Sequence, residues 1–378
     1  MLQLLLILTH TKLRGNKMKI TTTELLQRIN KIQQKMLEQK LEMIIVYSEV
    51  NRFYLTNFNC SYAIIVIEQQ STPRFYTDAR YLESAKVSIS HFEIHNIKDF
   101  DAIFDYANKN QIKNICVEAS ITSDTYISIT EKFTNKIELT ANKIFNEVRA
   151  VKSEVEIELI RSALLISDNI FNNELKNIKA GITELSLYKN IEIEAIKQAS
   201  GSSFNTIVCF GENTAYPHYT SKEFILKNDM PICIDMGVKN QHYCSDMTRT
   251  FFYGDAHKKL EEFYNIVYET LVACAQFIKP GITCKTLDEL ARKIIGDAGY
   301  AELFGHGLGH GIGLNVHEYP LLSKDKNCEL EEGMAFTLEP GIYMPGIGGV
   351  RIEDIVVVTK SGCEILTTTS KNFLTIQT

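Results

Sequence analysis

The sequence predicts a two-part α+β fold, in which a smaller α/β domain precedes a larger domain of mixed helices and strands. Strand and helix patterns alternate from residue 18 to about residue 145. A helix start of the S-x-x-E type, at Ser153 and Glu156, opens the second part. There, residues 178–183 and 278–283 are nearly identical, and each segment lies between two helix patterns. Six residues can match by chance, but the echo suggests a domain built of two related halves.

The first domain, residues 18–147, is expected to open with an amphipathic helix that begins at Thr23. Apolar side chains recur there at helical spacing on one face, namely Leu25, Leu26, Ile29, Ile32, Met36 and Leu37. Short apolar runs predict strands, and one further helix pattern separates the last two of them. The expected strands are residues 43–47, 63–67, 75–77 and 113–117, and the helix covers residues 100–109.

The second domain, residues 148–378, holds most of the strand patterns. Its first helix is expected to run from the capping box at Ser153 to a stop at Gly181. The same capping pattern at Thr286 and Glu289 predicts the start of another helix. The expected strands are residues 204–210, 232–238, 243–253, 334–338 and 350–358.

Composition and charge argue against several classes of function. Hydrophobic residues make up 45% of the chain and charged residues 23%, an ordinary globular balance. The net charge of -6 gives no electrostatic basis for binding nucleic acid or an anionic membrane. The nine cysteines are scattered and form no CxxC pair, which argues against a disulfide framework and a thiolate zinc site. A reducing, cytoplasmic location is therefore expected.

Residues 1–17 are set apart from the fold. Residues 1–8 are apolar but too few to span a bilayer, and they lack the basic start and clean cleavage site of a signal peptide. Met18 opens a more ordinary amino terminus. We therefore interpret residues 1–17 as a non-native or disordered extension.

Two aspartates stand at apolar strand patterns. Asp235 lies within the apolar run of residues 231–237, where a carboxylate is costly unless it is paired or binds a metal. A turn at the strand end is the simpler alternative. Asp246 precedes another apolar strand, and a hairpin would bring the two carboxylates side by side. Their mutual repulsion would then require a cation.

Three histidines are concentrated in a glycine-rich segment, residues 306–318. They are His306, His310 and His317, and four glycines lie between the first and the last of them. Glycine allows close approach of neighbouring backbones and unusual dihedral angles. A lone histidine is usually structural, but three at this density indicate a functional cluster.

Two glutamates complete the acidic set. Glu339 closes an apolar strand, and Glu353 lies among hydrophobic residues in the next one. Alternation places Arg351 on the same face as Glu353, so a surface salt bridge between them is the alternative interpretation. Four carboxylates and one imidazole suit Mn²⁺ or Co²⁺, with Fe²⁺ and Zn²⁺ as alternatives. Two carboxylates can bridge two such ions about 3.5–4 Å apart.

Taken in order, these residues resemble the M24 metallopeptidase family of methionine aminopeptidases, Xaa-Pro aminopeptidases and prolidases. Residues 51–85 resemble the amino-terminal domain of the creatinase/prolidase branch, and the match to the catalytic domain begins near residue 150. The resemblance implies a creatinase-like amino-terminal domain followed by the pita-bread catalytic fold. It also implies two divalent cations per subunit, Mn²⁺ being favoured, held by Asp235, Asp246, His310, Glu339 and Glu353.

The resemblance further implies roles for the remaining residues. A hydroxide that bridges the two metals would attack the scissile carbonyl, with His317 stabilising the oxyanion and Glu339 moving the proton. His218 would assist departure of the amine. His306, beside the substrate's proline, and Arg351, behind the ligands, would contribute to substrate binding.

These implications favour an Xaa-Pro aminopeptidase, with an Xaa-Pro dipeptidase (prolidase) as the first alternative. The substrates would be peptides with proline directly after the scissile bond, and a homodimer is expected, with no nucleic acid or membrane partner. A methionine aminopeptidase is less favoured because those enzymes generally lack the upstream domain. A non-catalytic homologue or a metal-free amidinohydrolase is disfavoured because all five ligand positions are intact.

Overall fold

The computed structural model describes residues 19–133 and 136–377, so the extension expected at residues 1–17 lies outside the described residues. The chain divides into two compact units between Arg149 and Ala150. Among the helices of the described ranges, none has both the length and the apolar character that crossing a membrane requires. All nine cysteines are free thiols.

The first unit is built on a mixed six-stranded sheet with the strand order β4-β3-β2-β1-β5-β6. Strands β1, β2 and β3 pair antiparallel, whereas β4, β5 and β6 join the sheet in parallel. The strands are β1 (Met43–Val46), β2 (Ala63–Glu68), β3 (Arg74–Thr77), β4 (Glu93–Asn96), β5 (Asn114–Val117) and β6 (Lys136–Glu138). The helices are α1 (Thr22–Glu38), α2 (Glu49–Thr56), α3 (Leu82–Ser88), α4 (Ala102–Lys109), α5 (Ser123–Lys132) and α6 (Ala141–Ala150).

The first helix shows where helical periodicity fails to assign a face. Thr21 caps α1 by accepting the backbone N–H of Glu24, so the helix begins close to the expected position. Leu26 and Leu37, however, are 43% and 46% exposed. Arg28 is buried in their place and donates to the Tyr54 carbonyl oxygen at 2.8 Å. The buried stripe is therefore narrower than the apolar pattern suggested.

The described residues of the second unit form four α-helices, two large sheets and two small ribbons. A four-stranded sheet has the order β19-β11-β8-β7, a five-stranded sheet has the order β13-β12-β14-β17-β18, and β9/β10 and β15/β16 form two-stranded ribbons. The helices are α7 (Glu154–Glu174), α8 (Glu184–Gln198), α9 (Lys258–Phe277) and α10 (Cys284–Asp297). The strands are β7 (Ile207–Phe210), β8 (Met230–Met236), β9 (Lys239–Asn240), β10 (Tyr243–Cys244), β11 (Met247–Tyr253), β12 (Gly309–Gly311), β13 (Glu318–Leu322), β14 (Ala335–Leu338), β15 (Gly341–Met344), β16 (Gly348–Arg351), β17 (Asp354–Val358), β18 (Cys363–Ile365) and β19 (Thr375–Ile376).

The sequence echo corresponds to two turns with the same hydrogen bonds. Gly181 and Gly281 have φ angles of +90° and +87°, a region that side chains other than glycine's rarely adopt. The Gly181 N–H donates to the Leu226 carbonyl oxygen at 3.0 Å, and the Gly281 N–H donates to the Leu330 carbonyl oxygen at 2.9 Å. The threonine two residues further on caps the next helix in both copies. The structure thus repeats one helix–turn–helix arrangement ahead of each large sheet.

Two helix boundaries differ from the sequence-based expectation. Helix α7 ends at Glu174 and not at Gly181, because a short 3-10 turn and an extended residue follow it. Helix α10 is capped by Thr283, whose hydroxyl accepts the N–H of Thr286, so the expected capping box one turn later is wrong. The cap lies earlier because the glycine turn already delivers Thr283 in an extended conformation.

Two strands predicted as continuous are interrupted, each at a carboxylate. Residues 243–253 divide into β10 and β11, with Asp246 in the gap, and residues 350–358 divide into β16 and β17, with Glu353 in the gap. The interruptions arise because the chain changes its pairing partner. Strand β16 pairs with β15, whereas β17 pairs with β14 in the five-stranded sheet. Apolar periodicity continues across such a change and therefore does not reveal it.

Candidate metal centre

One cavity in the second unit brings together the residues that the sequence analysis singled out. Its volume is about 540 Å³. All nine of these residues line it, namely His218, Asp235, Asp246, His306, His310, His317, Glu339, Arg351 and Glu353. They come from both halves of the unit, so the cavity exists only when the two halves are folded together.

The two aspartates reach the cavity from neighbouring antiparallel strands. Asp235 lies in β8 opposite Thr248 of β11, and Asp246 comes two residues before Thr248. Asp246 is 4% exposed. The sequence analysis expected a hairpin to bring the two carboxylates side by side. Strands β8 and β11 do pair antiparallel, but the β9/β10 ribbon connects them in place of a simple hairpin turn.

His310 is carried by a strand that only glycine neighbours permit. A Cβ atom on Gly309 would lie 2.0 Å from the Thr337 carbonyl oxygen, and one on Gly311 would lie 2.3 Å from that of Tyr319. The His310 Nδ1–H donates to the Gly311 carbonyl oxygen at 3.1 Å, which fixes the tautomer. The Nε2 lone pair therefore points into the carboxylate cluster.

The distances around His310 fit a shared ion better than direct hydrogen bonds. Nε2 lies 3.6 Å from Asp246 Oδ2 and 3.5 Å from Glu339 Oε1. These distances are long for hydrogen bonds but leave room for an ion bonded to both atoms at about 2.0–2.2 Å. Donor atoms of Asp246, His310 and Glu353 all lie within 4.8 Å of one another.

Burial and mutual repulsion oppose the charged forms of these carboxylates. Burial, followed by the neighbouring Glu353 and Asp235, raises the pKa of Asp246 well above its usual range. Burial and then Glu339 do the same to the pKa of Glu353. Burial raises the pKa of Glu339 to about 8, against the opposing effect of Arg351. Burial also lowers the pKa of His310 to about 4, which keeps the imidazole neutral and able to bind a cation.

The donor set fits divalent cations. Oδ1 of Asp235 and Oδ1 of Asp246 are buried and have no hydrogen-bond partner among the residues that the structure describes. Buried carboxylate oxygens without partners are costly unless a cation takes them. Oxygen-rich sites with one imidazole suit Mn²⁺, Co²⁺ or Fe²⁺ and also accept Zn²⁺. Asp235, Asp246, His310, Glu339 and Glu353 are thus the residues that could hold metal.

Arg351 supports this set from behind. It is 4% exposed, and its NH2 nitrogen donates to Asp235 Oδ2 at 2.8 Å. Its Nε nitrogen donates to the Thr248 hydroxyl at 3.1 Å, and that hydroxyl donates to Glu353 Oε2 at 2.6 Å. The alternative interpretation, a surface salt bridge between Arg351 and Glu353, is therefore wrong, because both residues are buried and Arg351 bonds other partners. Arg351 instead orients two of the carboxylates, directly and through Thr248.

His306 lines the cavity with both ring nitrogens already bonded. Nδ1–H donates to the Gly307 carbonyl oxygen at 2.8 Å, so Nε2 accepts from the Tyr343 hydroxyl at 2.8 Å. Arg351 NH1 donates in turn to the Tyr343 oxygen at 3.0 Å. Burial, followed by Arg351, lowers the pKa of His306 to about 4. A neutral His306 therefore offers a substrate its ring surface.

The other two histidines stand beside the ligand set. The His317 ring packs edge-on against that of His310, with ring centroids 4.3 Å apart. Burial lowers the pKa of His317. His218 lies on a loop between β7 and β8 and lines the same cavity. Both histidines therefore share the cavity with the carboxylate cluster.

Helix α10 holds the loop that carries His306. Arg292 NH1 and NH2 donate to the carbonyl oxygens of Phe304, at 3.1 Å, and His306, at 2.6 Å. Asp288 accepts the N–H of Leu308 at 3.0 Å and pairs with Arg292 at 2.7 Å. The Asp288–Arg292 ion pair of α10 therefore holds the backbone before and after His306.

Sequence reasoning missed several of these supporting residues. Thr248 had a signal, because Asp246, Thr248 and Thr250 alternate with larger side chains and so share one face of the strand pattern. Tyr343 gave no such signal in the sequence, because a tyrosine in an apolar strand most often serves only to pack the core. Asp288 and Arg292 resemble an ordinary helical ion pair at i and i+4, which is usually exposed.

Replacing Tyr343 with phenylalanine is expected to lower kcat about 10- to 100-fold, the usual cost of removing a group that orients ligands. The change removes one hydroxyl and leaves both His306 Nε2 and Arg351 NH1 without a partner. Steady-state kinetics with metal-saturated protein would measure the effect. A Tyr106→Phe variant in the first unit is the matched control, and an unchanged kcat in Tyr343→Phe would contradict this reading.

Two domain families match the chain. Residues 158–360 match the metallopeptidase family M24, and residues 28–151 match the creatinase/prolidase N-terminal domain. An uncharacterized peptidase of Staphylococcus aureus is 46% identical over 223 residues, which are 58% of this chain. The chain spans 63% of the length of that relative.

Two solved structures share the fold over most of their length. The Xaa-Pro dipeptidase from Bacillus anthracis is 34% identical, with a TM-score of 0.88, and the match covers 93% of this chain and 100% of that one. The X-Pro aminopeptidase from Thermotoga maritima is also 34% identical, with a TM-score of 0.81, and the match covers 90% of this chain and 99% of that one.

Proposed function

Because this chain belongs to metallopeptidase family M24 and carries a creatinase/prolidase N-terminal domain, we propose that it is a metal-dependent peptidase that cleaves peptide bonds preceding proline. The fold class expected from the sequence is confirmed, a creatinase-like domain followed by a pita-bread catalytic domain. One observation carries the proposal, namely that all five donor residues and His306 line the same cavity.

We propose that the five ligands hold two divalent cations, with Mn²⁺ favoured over Co²⁺, Fe²⁺ and Zn²⁺. Asp235, Asp246, Glu339 and Glu353 would supply the oxygen ligands, and His310 would supply the nitrogen ligand. When bound, such cations supply Lewis acidity, which polarises a carbonyl group and makes a water molecule nucleophilic at neutral pH. The unpartnered oxygens of Asp235 and Asp246 support this assignment.

The chain's own residues then position the substrate and move the proton. Glu339 is the carboxylate that would accept the proton of the attacking water and pass it on. His317 would donate a hydrogen bond to the carbonyl oxygen as its negative charge develops. His218 would assist departure of the proline nitrogen. His306 would pack its ring surface against the proline ring of the substrate, because both of its ring nitrogens are already hydrogen-bonded within the protein.

The cavity lining favours an aminopeptidase over a dipeptidase. A dipeptide presents a free carboxylate on its proline, whereas a longer peptide continues as neutral chain. The lining beyond the ligands includes Phe204, Ile207 and Leu321, which suit a continuing chain better than a carboxylate. The three donor nitrogens of Arg351 are directed at Thr248, Tyr343 and Asp235. A dipeptidase stays the second candidate because the Bacillus anthracis structure carries that name.

Introducing a cation at Leu321 should shift the preference towards dipeptides. Leu321 lines the cavity and is 43% exposed, so a longer side chain can be accommodated. For Leu321→Arg, kcat/KM for Ala-Pro divided by that for Ala-Pro-Ala-amide is expected to rise about tenfold, equivalent to ~1.4 kcal/mol. Leu321→Gln, which is long and polar but uncharged, is the control. An equal rise in both variants would show that charge is not the cause.

The proposed function is tested by hydrolysis of four peptides with and without Mn²⁺. Cleavage of Ala-Pro-Ala at the Ala–Pro bond, at least about tenfold faster than cleavage of Ala-Ala-Ala, is expected. Cleavage of Ala-Pro alone would favour the dipeptidase. Release of methionine from Met-Ala-Ala without action on Xaa-Pro bonds would favour the methionine aminopeptidase. The expected homodimer and cytoplasmic location stay predictions, and light scattering on the purified protein tests the first.

A further inference from the structure

The loop that carries His218 is gathered at both ends by one buried carboxylate. This His218 loop, residues 211–222, leaves β7 and returns alongside the start of α8. Glu184 is the first residue of α8 and is 0% exposed. A carboxylate in the first turn of a helix also interacts favourably with the helix dipole.

Glu184 accepts hydrogen bonds from residues before, within and at the end of the loop. Oε1 accepts the Phe210 N–H at 2.8 Å and an N–H of the Asn213 side chain at 2.9 Å. Oε2 accepts the Lys222 N–H at 3.1 Å. Burial, followed by the neighbouring Glu184, raises the pKa of Tyr219. His218 therefore sits between donors that converge on one side chain.

The backbone of α8 adds two further contacts to the same segment. The N–H of Leu185 donates to the Lys222 carbonyl oxygen at 2.8 Å, and that of Glu184 donates to the Phe224 carbonyl oxygen at 3.1 Å. These bonds hold the returning segment but do not reach the outgoing strand β7. The Ser221 hydroxyl makes one link to β7, through the N–H and the carbonyl oxygen of Val208. The Glu184 side chain makes the second, which joins Phe210 and Asn213 on one side to Lys222 on the other.

We propose that Glu184 is the positioning residue for His218: it fixes both ends of the loop so that the imidazole stands beside the leaving amine. This inference rests on the role given to His218 in the proposed function. Neutral donors surround the carboxylate, so its function is to gather the loop and not to balance a charge. Loss of this convergence would let His218 move by about an ångström, which can cost on the order of 100-fold in rate.

A Glu184→Gln variant tests the inference because it is isosteric. Its amide nitrogen cannot accept from an N–H, so at least one of the converging donors loses its partner. We expect kcat for Ala-Pro-Ala to fall 10- to 100-fold, with KM changed less than about twofold. Glu194→Gln, on the same helix but bonded to Lys197 and Gln198, is the matched control and should keep the wild-type kcat.

A double-mutant cycle separates positioning from general damage. If Glu184 acts through His218, Glu184→Gln combined with His218→Ala should be no slower than His218→Ala alone, within about twofold. If the fold losses in kcat of the two single variants multiply in the double variant, the proposal is overturned. A His218→Ala protein with wild-type kcat would overturn the role of His218, whereas loss in that variant with an unaffected Glu184→Gln would overturn the role of Glu184 alone. If Glu184→Gln does not fold, Glu184→Asp enters the same cycle.

A readout independent of catalysis completes the test. Hydrogen exchange measured by mass spectrometry should be faster in the His218 loop of Glu184→Gln than in the wild type or in Glu194→Gln. This experiment needs neither substrate nor bound metal, so it decides the contact with the loop even if the proposed peptidase activity fails. Unchanged exchange in residues 211–222 would overturn the proposal.

Discussion

Replacing Glu353 with glutamine is expected to lower kcat for Ala-Pro-Ala by about 10³-fold or more and to reduce the bound metal. Glu353 is 2% exposed, and its donor atom lies within 4.8 Å of those of Asp246 and His310. A cation supplies several kcal/mol of transition-state stabilisation, and each 1.36 kcal/mol is about tenfold in rate. Kinetics and elemental analysis of the purified variant would measure both effects.

The same substitution should stabilise the metal-free protein. Without cations, burial and the neighbouring carboxylates oppose ionisation of Glu353 and Asp246, and keeping these groups protonated costs folding free energy at neutral pH. Glutamine has no acidic group to protonate, keeps the shape, and still accepts the Thr248 hydroxyl that now bonds Oε2. We therefore expect the Tm of Glu353→Gln to exceed that of the wild type in chelator and to fall below it in excess Mn²⁺.

Two results would contradict this account of Glu353. A variant that keeps the wild-type kcat would show that the carboxylate is not a ligand. A lower Tm in both chelator and Mn²⁺ would show an ordinary structural loss. Glu364→Gln is the matched control, because Glu364 is half-exposed, pairs with Arg161 and should leave activity and both Tm values unchanged.

Removing metal is expected to abolish activity and to lower stability in a manner that depends on pH. Restoring Mn²⁺ at 100 times its Kd should return about 2.7 kcal/mol of stability for each site, because the ion binds the folded chain. Activity should return in parallel. Thermal unfolding and peptide hydrolysis after chelation and reloading would measure both effects.

The sign of the pH dependence follows from the raised carboxyl pKa values. In the metal-free folded state, the pKa of Glu339 is about 8, against 4.5 for the ordinary side chain. A group with a raised folded pKa stabilises the protein fully below the unfolded value and loses that contribution as pH rises through the folded value. Below about pH 6.5 the lowered pKa values of His306 and His310 act in the opposite direction, because the folded protein loses stability when these imidazoles are protonated. The Tm in chelator should therefore fall between about pH 6.5 and pH 8.

The Tm difference between Mn²⁺ and chelator should instead grow over the same pH range, because metal and protons compete for these oxygens. The measurement is the Tm of the wild-type protein at several pH values, once in Mn²⁺ and once in chelator. A metal increment that shrinks as pH rises would contradict the assignment of Glu339 as a ligand.

Much of the centre could be predicted because carboxylates in apolar strands are costly and therefore conspicuous. Asp235, Asp246, Glu339 and Glu353 stood out for this reason, and the structure brings all four to one cavity. The glycines around His310 were informative because a Cβ at Gly309 would collide with the neighbouring strand. The local patterns at Asp235 and Glu353 also allowed a strand-end turn and a surface salt bridge, and only the whole set of residues favoured a metal centre.

The supporting groups could not be predicted because their partners are distant in sequence. Arg351 appeared to face Glu353 by alternation, but the chain changes sheets at that point, and the guanidinium reaches Asp235 instead. Glu184 stands in a helical first turn, where a carboxylate is ordinary and usually exposed. Nothing local reveals that a loop closes over it and buries it completely.

The measurement that tests the central claim most directly is cleavage of Ala-Pro-Ala as a function of Mn²⁺ bound per chain. Metal-free protein is titrated, bound Mn²⁺ is counted at each point, and release of alanine is followed. We expect no activity without metal and full activity as occupancy approaches about two ions per chain. A folded chain that holds Mn²⁺ at Asp246 and Glu353 but leaves both Ala-Pro-Ala and Ala-Pro intact would contradict it.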